Sequence, residues 1–230
     1  MNNRALIREL SAEFIGSLFL VMAAVASMIL FTSVYEADKS IAVFTNAITV
    51  TFVLCALIEI FGPISGAHFN PVVTMTMMLE KKLPISKGFL YMLLQFAGGI
   101  TGTVLSHLMF LDEVGVLLAV SNNVRNGYVF IGEIIGTFIL ILAILLLVKA
   151  KSGKISIIIG LLVGGQIMAT SSTMFANPQV TVARMLTNSA AGIRPIDGLI
   201  FILMQAIGTL MAYGVYKLIF SKNLTKTEEK

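Results

Sequence analysis

The chain has 230 residues, of which 57% are hydrophobic and only 12% are charged, and its mean hydropathy is +0.93. A soluble domain carries about 25% charged residues because its surface faces water, so this composition excludes a soluble enzyme, a nucleic-acid-binding protein and a disordered chain. The formal net charge is +4 and Cys55 is the only cysteine, which excludes an intramolecular disulfide and a cysteine metal cluster.

Six apolar segments are each long enough to cross a membrane, for which about 20 residues are needed. They cover residues 14–34, 41–58, 88–111, 128–148, 155–174 and 196–220. Six spans place both termini on the same side of the membrane. The first apolar run exceeds the 7–15 residues of a signal-peptide core, so we expect it to be retained as a span rather than cleaved.

Lys and Arg are unevenly divided between the two sides of this six-span arrangement. Of the sixteen, only Lys39, Arg125, Arg184 and Arg194 fall on the side opposite the termini, and the other twelve fall on the side of the termini. Cytoplasmic loops of membrane proteins carry an excess of Lys and Arg. The sequence therefore predicts a multi-pass protein of the plasma membrane with both termini in the cytoplasm.

The second half of the sequence repeats three motifs of the first half in the same order. Residues 12–20 reappear as 132–140, residues 70–79 as 177–186, and residues 91–95 as 201–205, at offsets of 120, 107 and 110 residues. Each half, about 8–111 and about 128–220, contains three spans. Because three is an odd number, the halves must have opposite orientations, which is an inverted repeat. The polar tail at 221–230 is expected to be disordered.

The two Asn-Pro pairs of the repeat indicate a pair of short helices. Asn is a preferred N-cap residue and Pro is preferred at the first helical position, so Asn70-Pro71 and Asn177-Pro178 each predict a helix start. Nine or ten residues reach about 14 Å, which is half the hydrocarbon thickness. We expect two half-helices that meet N-terminus to N-terminus at mid-membrane; the alternative is two ordinary re-entrant turns without a pore.

The first of these motifs resembles a known signature. Residues 65–74, SGAHFNPVVT, are similar to the first signature of the aquaporin, or major intrinsic protein, family. The second Asn-Pro pair and the doubled six-span layout agree with it, from about residue 10 to residue 220. The resemblance implies an all-α membrane protein with six transmembrane helices and two re-entrant half-helices, forming one channel domain over residues 1–230.

The second motif departs from the family pattern. The family reads Asn-Pro-Ala, whereas this chain has Val72 and Gln179 in the third positions. The family arginine three residues after the second Asn is replaced by Val180, and Arg184 follows four residues later. The pattern resembles a bacterial subgroup associated with glycerol-like solutes or arsenic compounds.

Asn70 and Asn177 are the residues expected to contact a passing solute at the centre of the pore. Their side-chain amides would donate hydrogen bonds to an oxygen of the solute. Two helix N-termini, each equivalent to about +0.5 charge, would face the same point. A cation would meet a positive field there, whereas a neutral molecule only exchanges hydrogen bonds.

The resemblance also implies a selectivity filter, whose four positions fall on Val50, Gly165, Met174 and Val180. The position of Gly165 assumes an ungapped spacing. A water-selective member would have His and Arg here, so this filter is expected to be wider and less polar. For Arg184 two interpretations stay open: a cationic contribution to the outer vestibule, or a side chain that extends to the interface or to a loop carbonyl.

Other residues are expected to support the half-helices. The resemblance implies that Glu13 and Glu133, which lie inside apolar spans where an ionisable residue needs partners, accept hydrogen bonds from the two loops that lead to the Asn-Pro pairs. His68 either lines the cytoplasmic mouth or bonds to the loop backbone. Supporting roles are also expected for four residues at matching places of the repeat, Pro71, Pro178, Gln95 and Gln205.

These observations predict a passive channel for small uncharged solutes, namely glycerol-like polyols, neutral metalloid hydroxides and water. The alternative is a water-selective channel; a secondary active transporter would need an acidic residue for ion coupling, and a non-conducting scaffold would favour long outer loops. We expect no catalytic residues, no cofactor, no metal site and no nucleic-acid partner. Membrane lipid surrounds the protein, and the family resemblance implies a homotetramer.

Overall fold

The computed structural model describes residues 3–221, and these form helices and loops without a β-strand. The helices are α1 (Asn3–Ile29), α2 (Lys39–Ser65), α3 (Pro71–Leu79), α4 (Ile85–Met109), α5 (Leu111–Val114), α6 (Val129–Lys149), α7 (Ile155–Ala169), α8 (Pro178–Arg184) and α9 (Pro195–Ile219). A wider π-helical turn, Leu30–Val34, extends α1. The predicted all-α fold class is confirmed. The predicted tail lies outside the described residues, apart from Ser221.

Within the described residues, five helices are long and apolar enough to cross a membrane: α1 with its extension, α2, α4, α6 and α9. The sixth apolar helix, α7, has only 15 residues and spans about 22 Å. The predicted fifth span, 155–174, was therefore wrong at its end. The helix ends at Ala169 because the backbone of Thr170 is extended, and Thr173 and Met174 have positive φ angles that no α-helix accommodates.

The sequence repeat is visible in the packing, because α1 packs on α4 as α6 packs on α9. A Cβ atom added to Gly98 of α4 would overlap the carbonyl oxygen of Phe14 in α1, and one added to Gly208 of α9 would lie 2.5 Å from the carbonyl oxygen of Ile134 in α6. Phe14 and Ile134 are 120 residues apart, and the two glycines are 110 residues apart. Each half thus contains the same close helix crossing.

We expect Gly208→Ala to destabilise the protein by about 1–3 kcal/mol, because the new methyl group would press on backbone rather than on a movable side chain. Gly214→Ala in the same helix is the matched control, since a Cβ at Gly214 meets nothing within 4 Å. That change should raise stability by up to about 1 kcal/mol, since Ala favours a helix over Gly. Thermal unfolding in detergent measures both. Equal unfolding temperatures would contradict the proposed role of the crossing.

Candidate functional site

The two half-helices, α3 and α8, begin in the same way. Asn70 and Asn177 have extended backbone, with φ of −158° in both. The Oδ1 atom of Asn70 accepts a hydrogen bond from the backbone N–H of Val72 (3.0 Å), and that of Asn177 accepts one from Gln179 (3.2 Å). A proline follows each asparagine at the helix start. Each asparagine is therefore an N-cap, which satisfies an N–H group that the helix itself cannot pair.

The same two asparagines join the halves of the chain. The Nδ2 atom of Asn70 donates to the carbonyl oxygen of Ala176 (2.8 Å), and the Nδ2 atom of Asn177 donates to that of Phe69 (2.8 Å). The N-termini of both half-helices consequently lie side by side. Each Nδ2 carries a second hydrogen, and both asparagines line a common cavity. The arrangement presents two amide donors and two positive helix ends to whatever occupies that cavity.

Two buried glutamates hold the loops that precede the asparagines. Glu13 accepts hydrogen bonds from the backbone N–H groups of His68 (3.0 Å) and Phe69 (2.9 Å). Glu133 accepts the equivalent bonds from Phe175 (2.8 Å) and Ala176 (2.9 Å). Five non-glycine residues in these loops have positive φ angles, namely Ala67, Phe69, Thr173, Met174 and Ala176. Such conformations persist only where the surroundings enforce them, and the two carboxylates do so here.

A glutamine in each half links the glutamate to the half-helix. The Nε2 atom of Gln95 donates to Glu13 Oε2 (2.8 Å) and to Thr74 Oγ1 (2.9 Å). The second half has the same arrangement, in which Gln205 Nε2 donates to Glu133 Oε2 (2.7 Å) and Thr181 Oγ1 (2.9 Å). The span, the loop and the half-helix of each repeat thus share one hydrogen-bond network.

His68 takes part in this network and also lines the cavity. Its Nδ1 atom lies 3.1 Å from Thr74 Oγ1, and its ring packs edge-on against Tyr91, with 5.5 Å between the ring centroids. Its backbone N–H bonds to Glu13, and the residue borders the cavity that contains the asparagines. The two sequence interpretations of His68 are therefore compatible.

A central cavity of about 290 Å³ runs along the half-helix junction, and its walls are mainly apolar. Helix α2 contributes Asn46, Val50, Leu54 and Ile58, helix α7 contributes Ile155, Ile159, Val163 and Ile167, and α6 contributes Leu140, Ile144 and Val148. These residues repeat every four positions, so one face of each helix borders the cavity. An apolar wall opposite a few amide donors suits molecules that carry hydroxyl groups on a small carbon skeleton.

A second cavity of about 620 Å³, the mouth cavity, continues from the first and is more polar. Its lining includes Lys39, Asn123, Arg125, Asn126 and Ser171. Among the described residues, four line both cavities: Asn46, Ile167, Thr173 and Arg184. These four therefore lie where the two cavities meet, and this junction is called the neck.

Three of the four predicted filter residues line the central cavity, namely Val50, Met174 and Val180. Gly165 does not, and this prediction was wrong. Gly165 is exposed, and a Cβ atom added to it would meet nothing within 4 Å. The cavity face of α7 carries Val163 and Ile167 instead, because the helix ends at Ala169 and the loop that follows has non-helical backbone, which a simple count of residues back from Asn177 does not take into account.

Arg184 combines features of both interpretations made from the sequence. It is 5% exposed, its Nε donates to the carbonyl oxygen of Ala191, and its guanidinium lies 3.8 Å from the ring centre of Phe175. It also lines both cavities. Arg184 thus bonds to a loop carbonyl while its side chain also borders the two cavities.

Sequence reasoning missed Arg125 and Asn46. The NH1 group of Arg125 donates to the carbonyl oxygen of Ser172 (2.9 Å) and to Thr173 Oγ1 (3.2 Å). The Nδ2 atom of Asn46 donates to the carbonyl oxygen of Ala24 (2.9 Å) and to Ser27 Oγ (2.8 Å). The available signal for Asn46 was a polar residue inside an apolar span, one helical turn from Val50; Arg125 had no such signal.

A family model described as "Major intrinsic protein" matches residues 1–176, and the chain belongs to this family. It is 36% identical over 213 residues to "Aquaglyceroporin AqpS" of Rhizobium meliloti (strain 1021), covering 92% of this chain and 90% of that protein.

Other relatives and a solved structure agree. The chain is 31% identical over 154 residues to "Glycerol uptake facilitator protein" of Streptococcus pneumoniae (60% of this chain, 64% of that protein). It is 27% identical over 223 residues to "Aquaporin-4" of Bos taurus (93% and 67%). The fold matches "X-ray structure of the aquaglyceroporin from Plasmodium falciparum" with a TM-score of 0.66 at 17% identity, covering 94% of this chain and 96% of that one.

Proposed function

We propose that this protein is a passive transmembrane channel for small uncharged solutes, namely glycerol-like polyols, neutral metalloid hydroxides and water. The observation that carries the proposal is the pair of asparagine-capped half-helices whose N-termini share one cavity. A neutral solute there exchanges hydrogen bonds with the second N–H of Asn70 and Asn177. A cation or hydronium ion faces two positive helix ends and loses its hydration, so it is excluded.

The printed names of the relatives support this choice of solute. They include an aquaglyceroporin, a glycerol uptake facilitator and an aquaporin. The apolar wall formed by Val50, Met174 and Val180 supports solutes larger than water, since a carbon skeleton can slide along it without losing hydrogen bonds. In this proposal Glu13, Glu133 and their glutamine partners only support the loops, and the chain carries no catalytic activity.

We further propose the plasma membrane as the location, with both termini in the cytoplasm, on the distribution of Lys and Arg. The mouth cavity, lined by Lys39 and Arg125, would then face the outside. A homotetramer is proposed from the family resemblance. Large apolar side chains such as Phe52, Leu161 and Leu203 are exposed on the described surface, as contacts with lipid or with neighbouring subunits require.

The proposal is tested by stopped-flow light scattering on proteoliposomes that contain the purified full chain. We expect glycerol and arsenite permeability at least about tenfold above that of protein-free vesicles, since a polar solute crosses bare hydrocarbon poorly, and a smaller rise in water permeability. Protein-free vesicles from the same lipid preparation are the control. A rise for water alone would favour the water-selective alternative, and no rise for any solute would overturn the proposal.

A further inference from the structure

We propose that the selectivity filter of this channel lies one helical turn nearer the mouth than the family position. The inference rests on the proposed channel function. In place of an inner ring of Val50, Val163, Met174 and Val180, selection is made by an outer ring of Asn46, Ile167, Thr173 and Arg184. The outer ring is the set of residues that surrounds the neck between the two cavities.

The order of residues along each element shows which ring is nearer the mouth. On α2, Lys39 and Val43 line the mouth cavity, Asn46 lines both cavities, and Val50 lines only the central one. Asn46 therefore lies four residues nearer the mouth cavity than Val50 on this helix. One turn of an α-helix rises about 5.4 Å, so the outer ring lies about that much closer to the mouth.

The other elements shift in the same direction. On α8, Arg184 follows Val180 by four residues; on α7, Ile167 follows Val163, the next cavity-lining residue inward, by four residues and the implied filter position, Gly165, by two. In each pair only the member nearer the mouth lines both cavities. In the loop that follows α7, Thr173 precedes Met174 and lines both cavities, whereas Met174 lines only the central one, so Thr173 completes the set. Four separate segments therefore place the neck at one level.

The outer ring has the chemistry of a filter and the inner ring does not. All four inner side chains are apolar, so they cannot distinguish solutes by hydrogen bonding. In the outer ring, the terminal nitrogens of Arg184 donate no hydrogen bond to the described residues, and both hydrogens of Asn46 Nδ2 are used by Ala24 and Ser27, which leaves its Oδ1 as an acceptor. A solute in the neck thus meets donors, an acceptor and, at Ile167, an apolar surface.

The polar groups of the outer ring are held in place by neighbouring residues, as a selective site requires. Arg184 is fixed by Ala191 and lies on the ring of Phe175. Arg125 holds the hydroxyl of Thr173 and lies 4.8 Å from the centre of the same phenyl ring. The carboxylate that acts electrostatically on both arginines is that of Glu133, which accepts hydrogen bonds from loop N–H groups; Asp197 accepts one from the backbone N–H of Arg125 (2.9 Å). The neck is therefore preorganised for a neutral polyol and repels cations.

The two possible filter levels are distinguished by truncating one residue of each on the same helix. We expect Ile167→Ala to raise the erythritol-to-glycerol permeability ratio at least about threefold, since a few methyl groups in a tight pocket change discrimination by that order or more. Val163→Ala should raise this ratio by less than half as much. Leu161→Ala, which truncates an exposed residue of α7, is the control for the effect of substitution itself.

Each outcome decides between the levels. A larger increase for Val163→Ala than for Ile167→Ala would overturn the inference while leaving the channel function intact. Wild-type protein that conducts no glycerol would overturn the proposed function together with it. Because the ratio is measured on one vesicle preparation, it does not depend on the amount of folded protein. Should Ile167→Ala fail to fold, Ile167→Val, which removes one methylene group, tests the same direction of change.

A second measurement addresses the charge of the outer ring. We expect Arg184→Gln to raise the potassium leak of the vesicles by about tenfold, which corresponds to 1.4 kcal/mol of lost repulsion. The conservative variant Arg184→Lys should restore exclusion, because it keeps the positive charge. An unchanged leak in Arg184→Gln would show that the half-helix ends are sufficient to exclude cations without Arg184. It would remove Arg184 from the filter.

Discussion

Replacing Glu133 by leucine is expected to abolish channel activity by unfolding the second half of the pathway. The buried carboxylate accepts hydrogen bonds from Phe175 N (2.8 Å), Ala176 N (2.9 Å) and Gln205 Nε2 (2.7 Å). Leucine leaves three buried N–H bonds without an acceptor, two on the backbone and one on Gln205 Nε2, whose other hydrogen stays bonded to Thr181 Oγ1; each costs about 1–3 kcal/mol. The total is comparable to the whole stability of a domain, which is about 5–15 kcal/mol.

The measurement is thermal unfolding in detergent, followed by the reaction of the Cys55 thiol with a fluorogenic maleimide. The matched control is Glu59→Leu, because Glu59 is also a carboxylate on a membrane helix, yet it is exposed and has one side-chain partner, Ser156 Oγ (2.6 Å). Glu133→Leu should unfold far below the wild-type temperature and Glu59→Leu close to it. Similar unfolding temperatures for the two variants would show that Glu133 does not support the loop.

Replacing Asn70 by aspartate is expected to reduce glycerol flux about tenfold and to admit cations. Aspartate retains the acceptor that caps α3, but a carboxylate oxygen would then face the carbonyl oxygen of Ala176, which the Nδ2 atom now approaches to 2.8 Å. Two acceptors at that distance repel each other. The new negative charge also cancels the field of the two helix ends, each equivalent to about +0.5 charge, so their share of the electrostatic barrier to cations is removed.

Glycerol swelling and potassium leak of proteoliposomes measure the two effects. Asn177→Asp should be milder, because the carbonyl oxygen of Phe69 keeps a second donor, Gln179 Nε2 (3.1 Å), whereas the matching residue of the first motif is Val72. Asn122→Asp, at an exposed site, controls for the added charge. Wild-type cation exclusion in Asn70→Asp would contradict the role of this asparagine in ion rejection.

The half-helices could be predicted from the sequence because their signals are local. An asparagine that caps a helix and a proline that starts it are neighbours in the chain, and the preference of each residue follows from its own backbone chemistry. The repeat then indicated that α3 and α8 face each other. Likewise, an ionisable residue such as Glu13 or Glu133 inside an apolar span indicates hydrogen-bonding partners without any knowledge of the fold.

The level of the neck could not be predicted, because it depends on backbone that has no local signal. Thr173, Met174 and Ala176 are not residues that favour positive φ angles, yet their loop has this conformation because Glu133 accepts hydrogen bonds from the N–H groups of Phe175 and Ala176.

 The loop between α7 and α8, which contains Ala176, ends α7 at Ala169. The position of this end determines which residues of α7 face the cavity. Counting residues along the chain placed Gly165 there, whereas the structure places Val163 and Ile167.

Asn46 and Arg184 show the same limit for side chains. Asn46 is fixed by Ala24 and Ser27 of α1, and Arg184 is fixed by Ala191 and Phe175. These partners lie 7 to 22 residues away along the chain, and a sequence pattern does not indicate which of them a side chain will contact. The sequence shows which residue types are present, but it does not indicate that Asn46, Ile167, Thr173 and Arg184 lie at the same depth along the cavities.

The hydrogen bonds that join the two halves have a consequence for biosynthesis. Asn70 bonds to Ala176, 106 residues later, and Asn177 bonds to Phe69, 108 residues earlier. The ribosome synthesises α3 long before α8, so the side-chain amide of Asn70 has no access to its acceptor, the carbonyl oxygen of Ala176, while the first half of the chain is being made. The centre of the pore is therefore completed only after synthesis has passed Asn177, and an early-terminated chain cannot leave an open hole in the membrane by this route.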